Sequence, residues 1–193
     1  MSAPPGTFDA VRDGLADVSF TVDGYTPGRF VFTQVAEFPF LGDSSTATSV
    51  AYQRIYDRYF APLGEHRGVK VLAVFTHGPG IIFTVKQPVT SAADAGKLKF
   101  RIGGGNINEL SKLMGWNTTL KPATDSFELL STGVMDGTFF PDESLQSMRL
   151  QMVKHATTFP GGLYNTSFVF MMNPAKYNGL KPEERAVIDK VSG

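Results

Sequence analysis

The segment KLKFRIGGGN, residues 97–106, alternates basic and apolar residues and then enters three consecutive glycines. Alternation with a period of two predicts a β-strand, and the following segment NINELSKLMG predicts a helix after a glycine turn. Phe100 and Ile102 flank Arg101 in this strand, so the Arg101 side chain points to the opposite face from both. A strand, a glycine turn and a helix can hold a phosphate, serve as a plain turn, or present Arg101 to another anion.

The residues around the glycines disfavour a nucleotide-binding loop. The pattern G-x-G-x-x-G has Asn108 where the third glycine is required, and Asp125 is predicted at a helix start rather than at the strand end that contacts a ribose. A Walker loop fails because the Gly-Lys pair at 96–97 is followed by leucine. Two interpretations stay open: a flexible turn with Arg101 as a surface cation, and a clamp in which Arg101 pairs with a carboxylate.

Outward from this unit, the chain alternates strand-like and helix-like segments. Predicted strands cover residues 16–22, 69–75, 81–85, 97–102, 117–120, 134–140 and 163–173. Predicted helices cover residues 8–13, 43–63, 106–115, 123–133, 144–154 and 180–191. Asp125 and Glu128 form a predicted capping box. Alternating elements with short connections predict an α/β fold with largely parallel sheets.

Composition and missing motifs disfavour several classes of function. Lys and Arg together number 18, as do Asp and Glu, so no net charge favours nucleic acid. The chain has no cysteine, and His66, His77 and His155 are far apart, so we expect no metal site. No G-x-S-x-G or H-E-x-x-H motif is present, and we expect neither an enzyme nor a cofactor. The start MSAPPGTFDAV lacks the basic and apolar regions of a signal peptide.

Seven segments resemble, in order, the DctP-type solute-binding proteins of tripartite ATP-independent periplasmic (TRAP) transporters. They are FDAVRDGLADVSFTVDGYTPGRF, EFPFL, GVKVLAVFTHGPG, VTSAADAGKLKFRI, LMGWN, DSFELLSTGVMDG and MMNPAKYNGLKPEERAVID. The resemblance implies a two-lobed clamp, similar to the type II periplasmic binding proteins, that captures a small organic acid and delivers it to membrane permease subunits. It also implies that Arg101, in the K-x-R segment, pairs with the ligand carboxylate.

The resemblance further implies a division into two lobes. Lobe one would comprise residues 1–78, with residues 169–193 returning to it, and lobe two would comprise residues 79–168. The family usually has a signal peptide and further elements before FDAVRDG, and more helices after EERAVID. We therefore expect a sequence truncated at both ends relative to the family, with its function in the periplasm.

Five further residues are candidates for ligand contact. One of Phe139 and Phe140 should face the pocket, because side chains alternate along a strand, and it would favour an apolar or aromatic ligand; alternatively, both belong to the core. Tyr25, in the turn DGYTPGRF, either donates its hydroxyl to the ligand or is an exposed turn residue. His77 either contacts the ligand or supports the hinge, and Asn165 could hydrogen-bond the ligand.

The implied mechanism is a hinge closure driven by a ligand that contacts both lobes. A hypothesis from a different class treats the chain as an interaction or assembly module. In that case sheet edges left open by the truncation would form a dimer.

Overall fold

The structure is a computed structural model that describes residues 3–193 and contains two β-sheets with helices packed on them. Its strands are β1 (Val18–Val22), β2 (Lys70–Thr76), β3 (Ile81–Thr84), β4 (Lys99–Ile102), β5 (Asn117–Leu120), β6 (Gly137–Phe140), β7 (His155–Thr157) and β8 (Ser167–Met172). Its helices are α1 (Thr7–Arg12), α2 (Ser45–Ile55), α3 (Ala92–Ala95), α4 (Asn106–Leu113), α5 (Ser126–Ser131), α6 (Ser144–Ser147), α7 (Pro174–Gly179) and α8 (Pro182–Val191). Within the described residues, no helix has the length and apolar composition needed to cross a membrane. The predicted α/β class is confirmed.

The smaller sheet has three strands in the order β1–β8–β2, and both pairings are antiparallel. Helices α1 and α2 pack on it and bury one face. Phe8 of α1 and Tyr52 of α2 join Val74, Val169 and Met171 of the strands in one apolar cluster. Burial of these apolar side chains is the main stabilising term for this part of the molecule.

The larger sheet has five strands in the order β5–β4–β6–β3–β7. Strand β4 is parallel to β5 and β6, whereas β3 is antiparallel to β6 and β7. The expectation of largely parallel sheets is therefore wrong: the strand pairings are mixed and mostly antiparallel. The apolar pattern does not encode strand direction, which is set by the route of the chain. Strands β3 and β8 each follow a passage between the sheets and run against their neighbours.

The chain passes between the two sheets after β2 and again before β8, and these two crossing segments lie side by side. The Gly80 N–H donates to the Tyr164 carbonyl at 2.9 Å, and the Leu163 N–H donates to the Gly80 carbonyl at 2.8 Å. The change of sheet falls close to the predicted lobe boundaries. The lobe division itself stays a prediction.

Three predicted elements differ from the structure. Asp125 makes no capping bond, because it lies in a 3-10 turn with helical backbone angles and not in an extended cap conformation. The helix predicted over 144–154 ends at Ser147, since Arg149 has a φ of 56° and Leu150 turns into the core. The long strand predicted over 163–173 begins at Ser167, because the residues before it form the crossing segment.

Side chains of α2 cover the outer edge of β2. The Val74 N–H donates to Gln53 Oε1 at 2.7 Å, and the Thr76 N–H donates to Ser49 Oγ at 3.0 Å. A strand edge pairs with another chain through free N–H and C=O groups. These satisfied amides give no support to dimerisation through the β2 edge.

Candidate ligand-binding site

A cavity of about 350 Å³ lies between the two sheets. The side of the three-stranded sheet contributes Phe20, Thr21, Val22, Tyr25 and Phe168, the other side contributes Arg101, Gly103, Phe140, Ser144 and Met148, and the second crossing segment contributes Tyr164 and Thr166. Ligand pockets in proteins span roughly 300–1,000 Å³. The cavity therefore suits a small organic molecule.

Strand β4 delivers Arg101 to this cavity. The residue is 2% exposed, and its Nε donates to the Lys121 carbonyl at 2.8 Å. No carboxylate of the described chain forms a salt bridge with it. Burial lowers the pKa of Arg101, but an arginine keeps its charge in proteins. A buried cation without an acidic partner is costly, so Arg101 is suited to pair with an anion in the cavity, and this role stays a prediction.

Strand β6 turns Phe140 toward the cavity and Phe139 away from it, as alternation along a strand predicts. The Arg101 guanidinium carbon lies 4.6 Å from the centre of the Phe140 ring, within the range of a cation–π interaction. Phe139 is fully buried, with its ring 5.0 Å from that of Phe100. Phe139 was a candidate for ligand contact, and this candidate is wrong. The residue belongs to the apolar core and does not line the cavity.

Tyr25 reaches the cavity from the turn that follows β1. Its hydroxyl oxygen accepts a hydrogen bond from the Ala123 N–H at 3.0 Å, across the space between the two sheets. The hydroxyl also lies close enough to Arg101 to favour its charged form. Tyr25 is therefore a cavity residue rather than a free surface tyrosine. Its contact with a ligand stays a prediction.

His77 lies between the two crossing segments and outside the cavity lining. Its Nδ1 donates to the Gly78 carbonyl, and its Nε2 accepts from the Thr166 hydroxyl at 2.8 Å. Burial lowers the pKa of His77 to about 4, so the ring is neutral at neutral pH. These contacts fit the supporting role that was one of its two predicted alternatives, because Thr166 itself lines the cavity.

Asn165 is also held by the crossing segment. Its side-chain oxygen accepts from the Thr166 N–H at 2.9 Å, and its own N–H donates to the Glu37 carbonyl at 3.4 Å. The residue is 4% exposed and does not line the cavity. The structure corrects the candidate set by placing the neighbouring Tyr164 and Thr166 there instead.

Sequence reasoning missed Tyr164, Phe20 and Phe168. Tyr164 lines the cavity, and burial raises the pKa of its hydroxyl, so this hydroxyl keeps its proton. Phe168 stacks on Phe75 with the ring centres 4.9 Å apart. Alternation in SFVFMM could have revealed Phe168, because Val169 is a core residue and its neighbour must face the other way.

Aromatic walls distinguish this cavity from a larger one in the described chain. A larger cavity of about 590 Å³ lies beside β2, but its Lys70 and Asp189 pair with each other at 2.8 Å. Among residues 3–193, no three His, Cys, Asp or Glu side chains come together as a metal site. The cavity between the sheets combines one unpaired cation, two tyrosine hydroxyls and aromatic walls, an arrangement suited to an anion with an apolar body.

One protein-family model matches the whole of the described chain. Residues 2–193 match the model of the family described as "Bacterial extracellular solute-binding protein, family 7", DctP. This is the family that the sequence resemblance indicated.

Solved structures of related proteins are similar throughout the chain. A TRAP periplasmic solute-binding protein from Bordetella bronchiseptica with bound (R)- and (S)-mandelate is 44% identical, with a TM-score of 0.96. A marine metagenome TRAP protein specific for aromatic acid ligands, in complex with 3-hydroxybenzoate, is 39% identical, with a TM-score of 0.93. A TRAP solute-binding protein from Rhodoferax ferrireducens T118 with copurified benzoate is 31% identical, with a TM-score of 0.94.

These matches cover all of this chain but only part of the relatives. The three structures match over 100% of this chain and over 62%, 61% and 61% of their own chains. The curated relatives are covered over 53–58% of their length. The common region contains both sheets and the cavity between them.

Proposed function

The chain belongs to family 7 of the bacterial extracellular solute-binding proteins, and we propose that it captures a small aromatic carboxylate as the solute-binding component of a TRAP transporter. The solute would bind in the cavity between the two sheets in the periplasm. Delivery of the solute to membrane permease subunits would follow.

The observation that carries this proposal is the position of Arg101. Its guanidinium group is buried, faces the cavity, and has no acidic partner in the described chain. A ligand carboxylate would neutralise this cation and form charge-assisted hydrogen bonds with the planar guanidinium. A neutral ligand would leave the charge buried without a partner.

Aromatic walls support an aromatic body for the ligand. Phe140 lies on one side of the cavity, and Phe20 and Phe168 lie on the other. Aromatic rings bind preferentially to other rings in tilted or offset arrangements. The related proteins from Bordetella bronchiseptica, from the marine metagenome and from Rhodoferax ferrireducens hold mandelate, 3-hydroxybenzoate and benzoate, which are acids of this class.

The two sides of the cavity give a reason for the lobes to close on the ligand. Arg101 and Phe140 belong to one side, whereas Tyr25 and Phe168 belong to the other. A ligand that contacts both sides stabilises their approach, since only differential affinity shifts a conformational equilibrium. In this proposal the chain has a transport function and no catalytic residue.

Titration calorimetry of the full chain with benzoate and with benzamide tests the proposal. The two compounds have the same ring, but only benzoate carries a negative charge. We expect benzoate to bind and benzamide to bind far more weakly. Failure of benzoate, mandelate and 3-hydroxybenzoate to bind would refute the proposed ligand class.

A further inference from the structure

Glu37 is a buried acid outside the cavity that hydrogen-bonds both sides of it. The residue is 1% exposed and ends the 3-10 segment Phe32–Glu37. Its Oε2 accepts from the Asn106 N–H at 2.8 Å, at the start of α4. Its Oε1 accepts from the Ser167 N–H at 3.2 Å and from the Ser167 hydroxyl at 2.6 Å, at the start of β8. One carboxylate therefore joins the turn after β4 to the strand that returns to the other sheet.

No cation of the described chain pairs with this carboxylate. The titratable groups around it are Asp23, which pairs with His66, and the buried tyrosines Tyr52 and Tyr164, whose pKa values are raised by burial. Glu109 and Lys112 of α4 pair with each other. The positive end of the α4 dipole and the Ser167 donors are thus its main electrostatic support.

Glycines make this contact possible. A Cβ atom on Gly105 would overlap the Glu37 carboxylate, and a Cβ on Gly104 would overlap the Gly24 carbonyl. A Cβ on Gly24 would lie 2.7 Å from the Gly105 nitrogen, closer than real Cβ atoms come. Gly104 and Gly105 therefore allow the Gly24 backbone and the Glu37 side chain to approach the turn after β4.

We propose that Glu37 is a positioning residue of the ligand site, whose buried carboxyl group links the two sides of the cavity in the arrangement that binds the ligand. The inference rests on the proposed function and adds a residue that does not touch the ligand. The two segments that Glu37 joins carry cavity residues close by in sequence, Gly103 and Thr166. Their separation sets the distance between the two sides of the cavity.

This position makes ligand binding depend on pH. Burial raises the pKa of Glu37 from 4.5 to about 7 in the joined arrangement. When the two sides separate, water reaches the carboxylate and the pKa returns toward its usual value. At pH values between these two pKa values, joining the two sides is therefore coupled to the uptake of a proton by Glu37. Benzoate affinity should be highest at the acidic end of this range, fall as pH rises toward 7, and level off above it.

The test compares benzoate affinity at about pH 5.5 and about pH 7.5 in wild type, Glu37→Gln and Glu128→Gln. Glu128 is exposed on α5 and serves as the matched control. We expect wild type and Glu128→Gln to lose affinity on the order of tenfold between the two pH values, and Glu37→Gln to show no such loss. A flat wild-type profile, or an unchanged slope in Glu37→Gln, overturns the inference.

A measurement without ligand separates this inference from the proposed function. In isotope-labelled wild-type protein without ligand, the two sides join and separate, and the amide resonances of Asn106 and Ser167 should titrate together at pH values between 4.5 and about 7. If benzoate fails to bind while these amides titrate together, the ligand class is wrong and the role of Glu37 in joining the segments stands. If the amides do not respond to pH in this range, the role of Glu37 is wrong whether or not benzoate binds.

Discussion

Arg101 and Phe140 form a cation–π pair across two parallel strands, with the guanidinium carbon 4.6 Å from the ring centre. Arg101 of β4 is in register with Thr138 of β6, and Phe140 lies two residues further along the same face. The ring therefore stabilises the buried charge and also forms a wall of the cavity. The carboxylate and the aromatic body of a ligand would meet the protein at this pair.

Replacing Phe140 by leucine removes this ring while keeping an apolar side chain. We expect Phe140→Leu to weaken benzoate binding by roughly fivefold to thirtyfold, because the cation–π interaction and the ring contact are lost together. Titration calorimetry measures the change. The matched control is Phe139→Leu, in the core, which should lower the thermal unfolding midpoint and leave the affinity close to wild type. Equal effects of both changes on affinity would contradict the placement of Phe140 in the site.

Tyr164 is 4% exposed and brings a protonated hydroxyl to the lining of the cavity. If it donates to the ligand carboxylate, Tyr164→Phe should weaken benzoate binding by about tenfold or more, since a hydrogen bond to a charged group contributes roughly 1.5–3 kcal/mol. Tyr177→Phe is the control, because Tyr177 bonds Asp189 at 2.6 Å outside the cavity. Unchanged affinity in Tyr164→Phe would assign this residue to packing alone.

Gly24 tests the close approach between the two sides. A Cβ at this position would meet the Gly105 nitrogen at 2.7 Å and the Gly104 carbonyl carbon at 2.9 Å. Gly24 does not use a positive φ, so alanine adds a contact without backbone strain. We expect Gly24→Ala to reduce benzoate affinity on the order of tenfold by holding the sides apart.

The control for Gly24 is Gly179→Ala, since a Cβ at Gly179 meets nothing within 4 Å. This variant should bind benzoate as wild type does. Wild-type affinity in Gly24→Ala would show that the approach of the two sides is not required for binding.

Local sequence patterns predicted part of this site. Alternation in KLKFRI separates Arg101 from Phe100 and Ile102, because side chains on a strand alternate between its faces. Alternation in GTFF predicted that one of Phe139 and Phe140 faces the pocket, but not which one. The α/β class follows from the same periodicities. Strand direction does not, and this explains the wrong expectation of largely parallel sheets.

Contacts between residues that are far apart in sequence were not predicted. Glu37 bonds Ser167, which is 130 residues away in sequence, and the Tyr25 hydroxyl meets Ala123, which is 98 residues away. No local spacing brings such pairs together. Asn165 was misplaced for a different reason: Tyr164, Thr166 and Phe168 line the cavity in alternation, so Asn165 faces away from it, and this alternation begins in the crossing segment before β8.

The most direct test of Arg101 as the carboxylate anchor is calorimetric titration of benzoate into wild type and Arg101→Ala. Arg58→Ala, at an exposed position on the turn after α2, controls for loss of positive charge. We expect Arg101→Ala to lose roughly thirtyfold or more in affinity, as for a buried charge pair that loses one partner, and Arg58→Ala to lose none. Benzoate binding to Arg101→Ala with wild-type affinity would contradict the assignment of Arg101 as the anchor.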